Sequence, residues 1–206
     1  MQHQNKIQIR EVVTLKYGVF CVFALACLSG CGQSAPPAGE TVRGYFENLP
    51  SAQMKVKILS DFGQSALEYQ VDYEYNKEDN DLLTVTAPEE ISGVQVEIAG
   101  QHTGNFTLQY QDAELEFGAD AVSGLTPVDA IADLMYDLCT GEPTEVGKDT
   151  LDGVQAVSLH YETIDVQPEI AKTVWIAPDT MAPICAELYC AGEKRLTLFF
   201  EQFEQS

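Results

Sequence analysis

The chain is poor in positive charge. Its 206 residues hold 11 lysines and arginines against 32 aspartates and glutamates, a formal charge of −21. A surface this acidic repels nucleic acid, which is excluded as a partner. Histidine is scarce, with three in all. His102 falls in a glycine-flanked turn and His160 in the middle of a strand-like run beside Tyr161, so neither marks a catalytic centre. There is no G-x-S-x-G elbow, no glycine-rich phosphate loop and no C-x-x-C pair. The expectation is a protein that is not an enzyme, with no cofactor and no zinc site. Glu114 and Glu116 share a strand face near Asp112 and Asp120, but no loop has the oxygen-ligand spacing of a calcium site, and they read as a solvated sheet face.

Long hydrophobic runs are missing too. The longest uncharged apolar stretch, residues 17–28 (YGVFCVFALACL), is twelve residues, whereas a membrane-spanning helix needs about 20. It follows a segment with Lys6, Arg10 and Lys16 against a single acid, Glu11. That is the layout of a secretory signal. It ends in Leu28-Ser29-Gly30-Cys31, which resembles the lipobox of bacterial lipoprotein signal peptides. The resemblance implies that residues 1–30 are a signal peptide. It also implies that Cys31 takes a diacylglyceryl group and becomes the first residue of the mature protein. Two acyl chains suffice for stable anchoring. The membrane is then a partner through that cysteine, and the location is the outer face of the cell membrane, in a single-membrane bacterium.

Residues 31–40 are small and proline-rich and read as a flexible tether. Residues 41–204 are regular throughout and form one domain, long enough to bury a core. Residues 31–206 hold 8 basic and 31 acidic residues, a charge of −23. Cys139, Cys185 and Cys190 make neither a disulfide framework nor a metal site; they read as small buried hydrophobes.

Within the domain, residues 41–49 read as a short helix stopped by Pro50. Alternation then takes over. Met54, Val56 and Ile58 alternate with lysines. Leu67, Tyr69, Val71, Tyr73 and Tyr75 share one face of the clearest strand, with Glu68, Gln70, Asp72 and Glu74 on the other. Residues 82–86, then Val94, Val96 and Ile98, then Phe106, Leu108 and Tyr110, then Leu115 and Phe117 repeat the pattern, separated by short turns. A clean period of two means a sheet with a dry face and a wet face, and the short connections mean an antiparallel meander. One helix interrupts it, with Thr126 as N-cap, Pro127 first, Asp129 at capping-box spacing and Gly141 as the stop. Strands resume at Val157, Leu159 and Tyr161, at residues 173–177, at Ile184, Ala186 and Leu188, and at Leu196, Leu198 and Phe200.

Roughly ten strands and two helices result. So wide a sheet, with one apolar face and only two short helices to cover it, must curl. The expected fold is mainly β (α+β), an incomplete antiparallel β-barrel with the two helices as lid or plug.

The last third carries a resemblance. Thr173-Val174-Trp175-Ile176, the Asp179 turn and Pro183, then a polar hairpin at residues 191–194 and a final strand ending in Phe203-Glu204, look like the closing elements of the LolA-like lipoprotein carrier superfamily. Residues 87–94 (APEEISGV) are similar to a stretch between two meander strands in the same families. The resemblance implies a half-barrel whose concavity holds a lipid or the acyl part of a lipoprotein. Some members act instead through proteins, including lipoproteins that spore-forming anaerobes need for germination. The fold transfers better than the cellular task.

Two functions follow. In one, a lipid or other hydrophobic small molecule sits in the concave face, lined by Tyr69, Val71, Tyr73, Tyr75, Val96, Ile98, Phe106, Leu108, Tyr110, Val157 and Leu159; tyrosine suits such a wall because its hydroxyl can reach water at the mouth. In the other, the protein acts in the envelope or spore on a protein partner such as a cortex- or wall-processing enzyme. The same tyrosine ladder is equally what plain core packing would require.

Overall fold

Alternation builds the sheet strand by strand. In β1 (Ser51–Asp61) Ala52, Met54, Val56, Ile58 and Ser60 are buried, one residue in two. β2 (Ala66–Asn76) returns antiparallel, setting Tyr73 opposite Met54 and Tyr69 opposite Ile58. The computed structural model describes residues 38–61, 66–100, 105–118, 124–163 and 167–206. The signal-like run, Cys31, His102 and Asp120 lie outside the described residues.

The meander continues through β3 (Asp81–Ala87), a 3₁₀ turn (Glu89–Ile91), β4 (Gln95–Ile98), β5 (Phe106–Tyr110) and β6 (Ala113–Phe117) to one edge. A second meander begins at the opposite edge. It runs inward through β7 (Glu145–Leu151), β8 (Val154–Glu162), β9 (Ile170–Ile176), β10 (Pro183–Cys190) and β11 (Glu193–Gln205). There β11 pairs with β1, so the spatial order is β6-β5-β4-β3-β2-β1-β11-β10-β9-β8-β7. The result is one antiparallel sheet of eleven strands, mainly β and open between β6 and β7. This is the incomplete barrel that the alternation requires.

The strand beyond the expected ten is β7. Its sequence, EVGKDTL, shows no alternation because it is an edge strand with no buried residue. β11 carries the opposite lesson. A bulge at Glu201 makes Lys55 pair with Gln202 and Val56 with Phe200. The extra residue inverts the parity, so Phe200 and Phe203 both pack against the core although they lie three apart.

Two helices cover the dry face. α1 (Ala38–Glu47) starts three residues before the expected Thr41, and buries Val42 and Phe46, with Leu49 just beyond its end. Phe46 meets Phe203 edge-on, ring centres 6.3 Å apart. α2 (Ala130–Thr140) lies on the chain between the two sheet edges and buries Ile131, Leu134, Met135 and Leu138. The capping box before it is made as the spacing predicts. The Asp129 N–H donates to Thr126 Oγ1 at 3.4 Å, and the Thr126 N–H donates to Asp129 Oδ1 at 3.0 Å. Regular helix nevertheless begins only at Ala130, four residues after Thr126. Gly141 ends α2 with φ −77°, not in the left-handed region. Glycine is needed there for space, since a Cβ would stand 2.7 Å from the Asp137 carbonyl oxygen. Both helices and nine of the strands contribute to a single apolar cluster.

One expectation fails. Leu115 and Phe117 do not enter the core: they are 56 % and 42 % exposed. They face the concave side, opposite Leu108 and Phe106. The apolar cluster ends at β5, whose Phe106 and Leu108 are only partly buried against it.

Candidate functional site

The sheet's dry face is largely filled. Of the residues expected to line a cavity, Val71, Tyr73, Val96, Ile98, Val157 and Leu159 are at most 3 % exposed and belong to the packed cluster. Tyr69, Tyr75, Phe106 and Leu108 lie at its margin, and Tyr110 is half-buried on β5. Space opens at the rim. A half-open cleft of about 780 Å³ lies between α2 and the end of the β2–β3 hairpin. Tyr75, Ile98, Ala132 and Cys139 supply its apolar wall, Tyr136 stands at its side, and residues 76–81 supply polar groups. Beside it, Phe106 and Phe117 stack at 4.8 Å and border a smaller recess of about 350 Å³.

Three polar arrangements hold the cleft's walls. The first centres on Asp81, a carboxylate only 9 % exposed. It accepts the Tyr73 hydroxyl at 2.5 Å and the Asn76 N–H at 2.8 Å. A fully buried tyrosine must find an acceptor for its O–H, and the aspartate at the start of β3 provides one while fixing the hairpin. Burial, and then the neighbouring Asp81 charge, hold the Tyr73 phenol well above its ordinary pKa.

The second joins sheet to helix. Tyr75 Oη and Cys139 Sγ lie 3.3 Å apart. Burial pushes both groups up, the phenol foremost. Cys139 is therefore a protonated thiol at neutral pH, a wall group and not a nucleophile. Cys185 is likewise pushed up by burial, to about 11. Cys139, Cys185 and Cys190 are all free thiols, and each is only partly buried, where the sequence leads one to expect small buried hydrophobes.

The third fastens α2 from the other side. Lys172 on β9 is 5 % exposed. Its ammonium contacts the carboxylates of Asp133 and Asp137, the latter at 2.5 Å. Burial alone would lower the lysine's pKa, but the two carboxylates outweigh it and raise it. Gly124 (φ +81°) lies against this pair: a Cβ there would collide with Asp133 Oδ2. The alternation of IAKTVWI puts Lys172 on the same face as Ile170, Val174 and Ile176, but no pattern in the sequence announces the two carboxylates that meet it.

The remaining histidine reads differently from a catalytic one. His160 Nε2 meets Glu162 at 2.9 Å and Nδ1 meets Thr173 Oγ1 at 2.9 Å. The order acid–imidazole–hydroxyl is that of a triad. Here it lies mid-sheet, on β8, between β7 and β9, and its hydroxyl partner is on β9. Among the described residues, no group of three His, Cys, Asp or Glu side chains is placed to hold a metal ion. Likewise, no described helix is long and apolar enough to cross a membrane.

Comparison with known proteins returns structures, not sequences. No protein-family model matches the chain, and no curated protein does. An uncharacterised conserved protein from Thermus thermophilus matches over 82 % of this chain and 88 % of its own, at 9 % identity and TM-score 0.51. That likeness concerns the fold alone. A LolA superfamily protein from Nitrosomonas europaea matches over 82 % and 93 % at 12 % identity and TM-score 0.41. A chain from the complex of the CwlD amidase with the GerS lipoprotein, from Clostridioides difficile, matches over 100 % of both at 16 % identity and TM-score 0.47. The solved structures that resemble this chain thus include a LolA superfamily protein and, separately, bacterial lipoproteins, all at 16 % identity or less, and the likeness is one of fold.

Proposed function

We propose that this chain is a lipid-anchored extracytoplasmic binding protein that takes an amphiphile at the rim cleft. The observation that carries the reading is the cleft itself. Its volume of about 780 Å³ lies within the range of small-molecule sites. Its wall pairs apolar groups (Tyr75, Ile98, Ala132, Cys139) with a polar border at residues 76–81. An acyl or aryl portion would lie against the wall, with a neutral or cationic head at the border, where Glu78 and Asp79 stand. The packed middle of the concave face leaves the rim as the place for a ligand. Anchoring through Cys31, with residues 1–30 removed and the expected tether of residues 31–40 shortened to residues 31–37 by the start of α1 at Ala38, keeps the cleft outside the cell membrane.

The test is native mass spectrometry of the lipidated protein, extracted gently from its membrane. We expect a co-purified amphiphile. Ala99→Trp, at the cleft's border, should abolish it while the far-UV spectrum is unchanged. A ligand-free protein that also fails to take up a fluorescent fatty amine, or an Ala99→Trp variant that retains the amphiphile fully, would remove the reading. In the same spectra, an unmodified Cys31 still joined to Gly30 would remove the anchor.

A further inference from the structure

The two edges of the open sheet are not alike. At β7 the first turn of α1 lies close, since Val146 is the side chain a Cβ at Gly39 would strike at 2.9 Å. β7 also carries a cation, Lys148. β6 has neither device. Its five residues, AELEF, are all exposed, and it contains no proline, lysine or bulge. Among the described residues nothing pairs with its outer side. An exposed edge of this kind presents unpaired N–H and C=O groups to any extended chain.

The two faces of β6 say which chain. On the concave side Leu115 and Phe117 are 56 % and 42 % exposed and continue the strip begun by Leu108 and Phe106. On the convex side Glu114 and Glu116 stand side by side, with Gln109 within 3.5 Å of Glu114 and Thr107 opposite Glu116. Glu97 follows in the same row on β4. The arm itself supplies no counter-charge: from residue 78 to residue 118 there are nine aspartates and glutamates and no lysine or arginine.

We infer that β6 is a strand-addition site for an extended segment of a protein partner in which basic and apolar residues alternate. Backbone pairing extends the sheet to a twelfth strand. The partner's lysines or arginines face Glu114 and Glu116, and its apolar residues cover Leu115 and Phe117. A second copy of this chain is the wrong occupant. Antiparallel pairing of two β6 strands about Leu115 sets Glu114 of each copy against Glu116 of the other, and like charges directly opposed are destabilising. The site is separate from the cleft and stands whether or not the cleft holds an amphiphile.

The probe is a blocked seven-residue peptide alternating lysine and valine, titrated into the full mature protein while amide hydrogen exchange is followed. We expect saturable binding with protection confined to residues 113–117 and their neighbours. A glutamate–valine peptide should not bind. N-methylation of alternate peptide amides on the pairing side should weaken binding at least tenfold, which simple charge attraction would not do. The double variant Glu114→Lys, Glu116→Lys should exchange the preference, taking the acidic peptide and losing the basic one. Binding without protection at β6, equal binding of the N-methylated peptide, or concentration-dependent self-protection of β6 with no peptide present would each overturn the assignment. Thr140→Trp, which lines the cleft but not the recess beside β6, should lower amphiphile uptake and leave peptide binding intact, so failure of the cleft and failure of the edge are read separately.

Discussion

Lys172 is the residue on which the second helix's position rests. It brings one positive charge to two carboxylates with side chains 10 % and 21 % exposed. Removing one partner from a buried ionic group leaves the other charges uncompensated, at a cost of about 3–5 kcal/mol. Lys172→Met should lose that much in urea unfolding, whereas Lys172→Met with Asp133→Asn and Asp137→Asn should recover part of it. The pH dependence has a definite sign. The lysine's pKa is raised on folding above its ordinary 10.5. The triad's contribution is therefore complete below about 10.5 and is lost as pH climbs through the raised value. Tyr73, Tyr75 and Tyr161, all raised by burial first, act in the same direction above their ordinary 10. Stability should fall steeply above about pH 10, and the Lys172→Met variant should fall less steeply. A variant with the same alkaline slope as the parent would show that the triad does not titrate with unfolding. Such a residue is invisible in sequence because its role depends on a helix 35 positions away. Tyr73 was legible as an inward residue, but its partner was not: Asp81 reads as one more acid in a turn.

At the level of elements, what the sequence shows depends on how many neighbours an element has. The central strands β1 and β2 have a partner on each side and a helix above, so their periods are clean. The edges follow other rules. β7 needs no apolar face and shows none. β6 shows one, yet Leu115 and Phe117 stay outside the core, because they pair with Leu108 and Phe106 of β5, which are themselves only half-buried at the margin of the apolar cluster. Period two establishes that residues share a face; whether that face is covered depends on what packs over it. The capping box before α2 was legible for the opposite reason, being made within four residues. Its contribution can be measured: Thr126→Ala leaves the Asp129 N–H without its side-chain acceptor and should cost about 1 kcal/mol. The loss should concentrate in hydrogen exchange of α2 and not of β1. Equal loosening of both would mean that α2 and the sheet unfold as one unit, with the cleft's wall unable to move separately.

For the molecule as a whole, strand order and charge act together. The first and last strands lie at the centre, β1 against β11, and the two meanders spread from that seam. The arms differ in charge: the β3–β6 arm belongs to the stretch from 78 to 147 that holds no lysine or arginine, while the other arm holds Lys148, Lys172, Lys194 and Arg195. Self-repulsion at a net charge of −21 opposes compaction. It should be felt most where no cation offsets it and where pairing is shortest, in β4, β5 and β6 of four to five residues each. Screening falls within about 10 Å at 0.1 M salt and within about 3 Å at 1 M. Sodium chloride should therefore stabilise this protein. A gain on the order of 1 kcal/mol between 0.01 and 0.5 M would raise Tm by about 2–4 °C. Amide exchange should slow more in β4–β6 than in β9–β11 across that range. If Tm falls with salt, attractive ion pairs such as Arg43–Glu47 outweigh the repulsion. If both arms respond alike, the asymmetry of charge along the chain does not translate into asymmetry of stability. The expected result ties the two halves of the reading together. An arm held loosely by its own charge gains most from a cationic strand laid along its edge, because one contact supplies both the missing hydrogen-bond partners and the missing counter-charge.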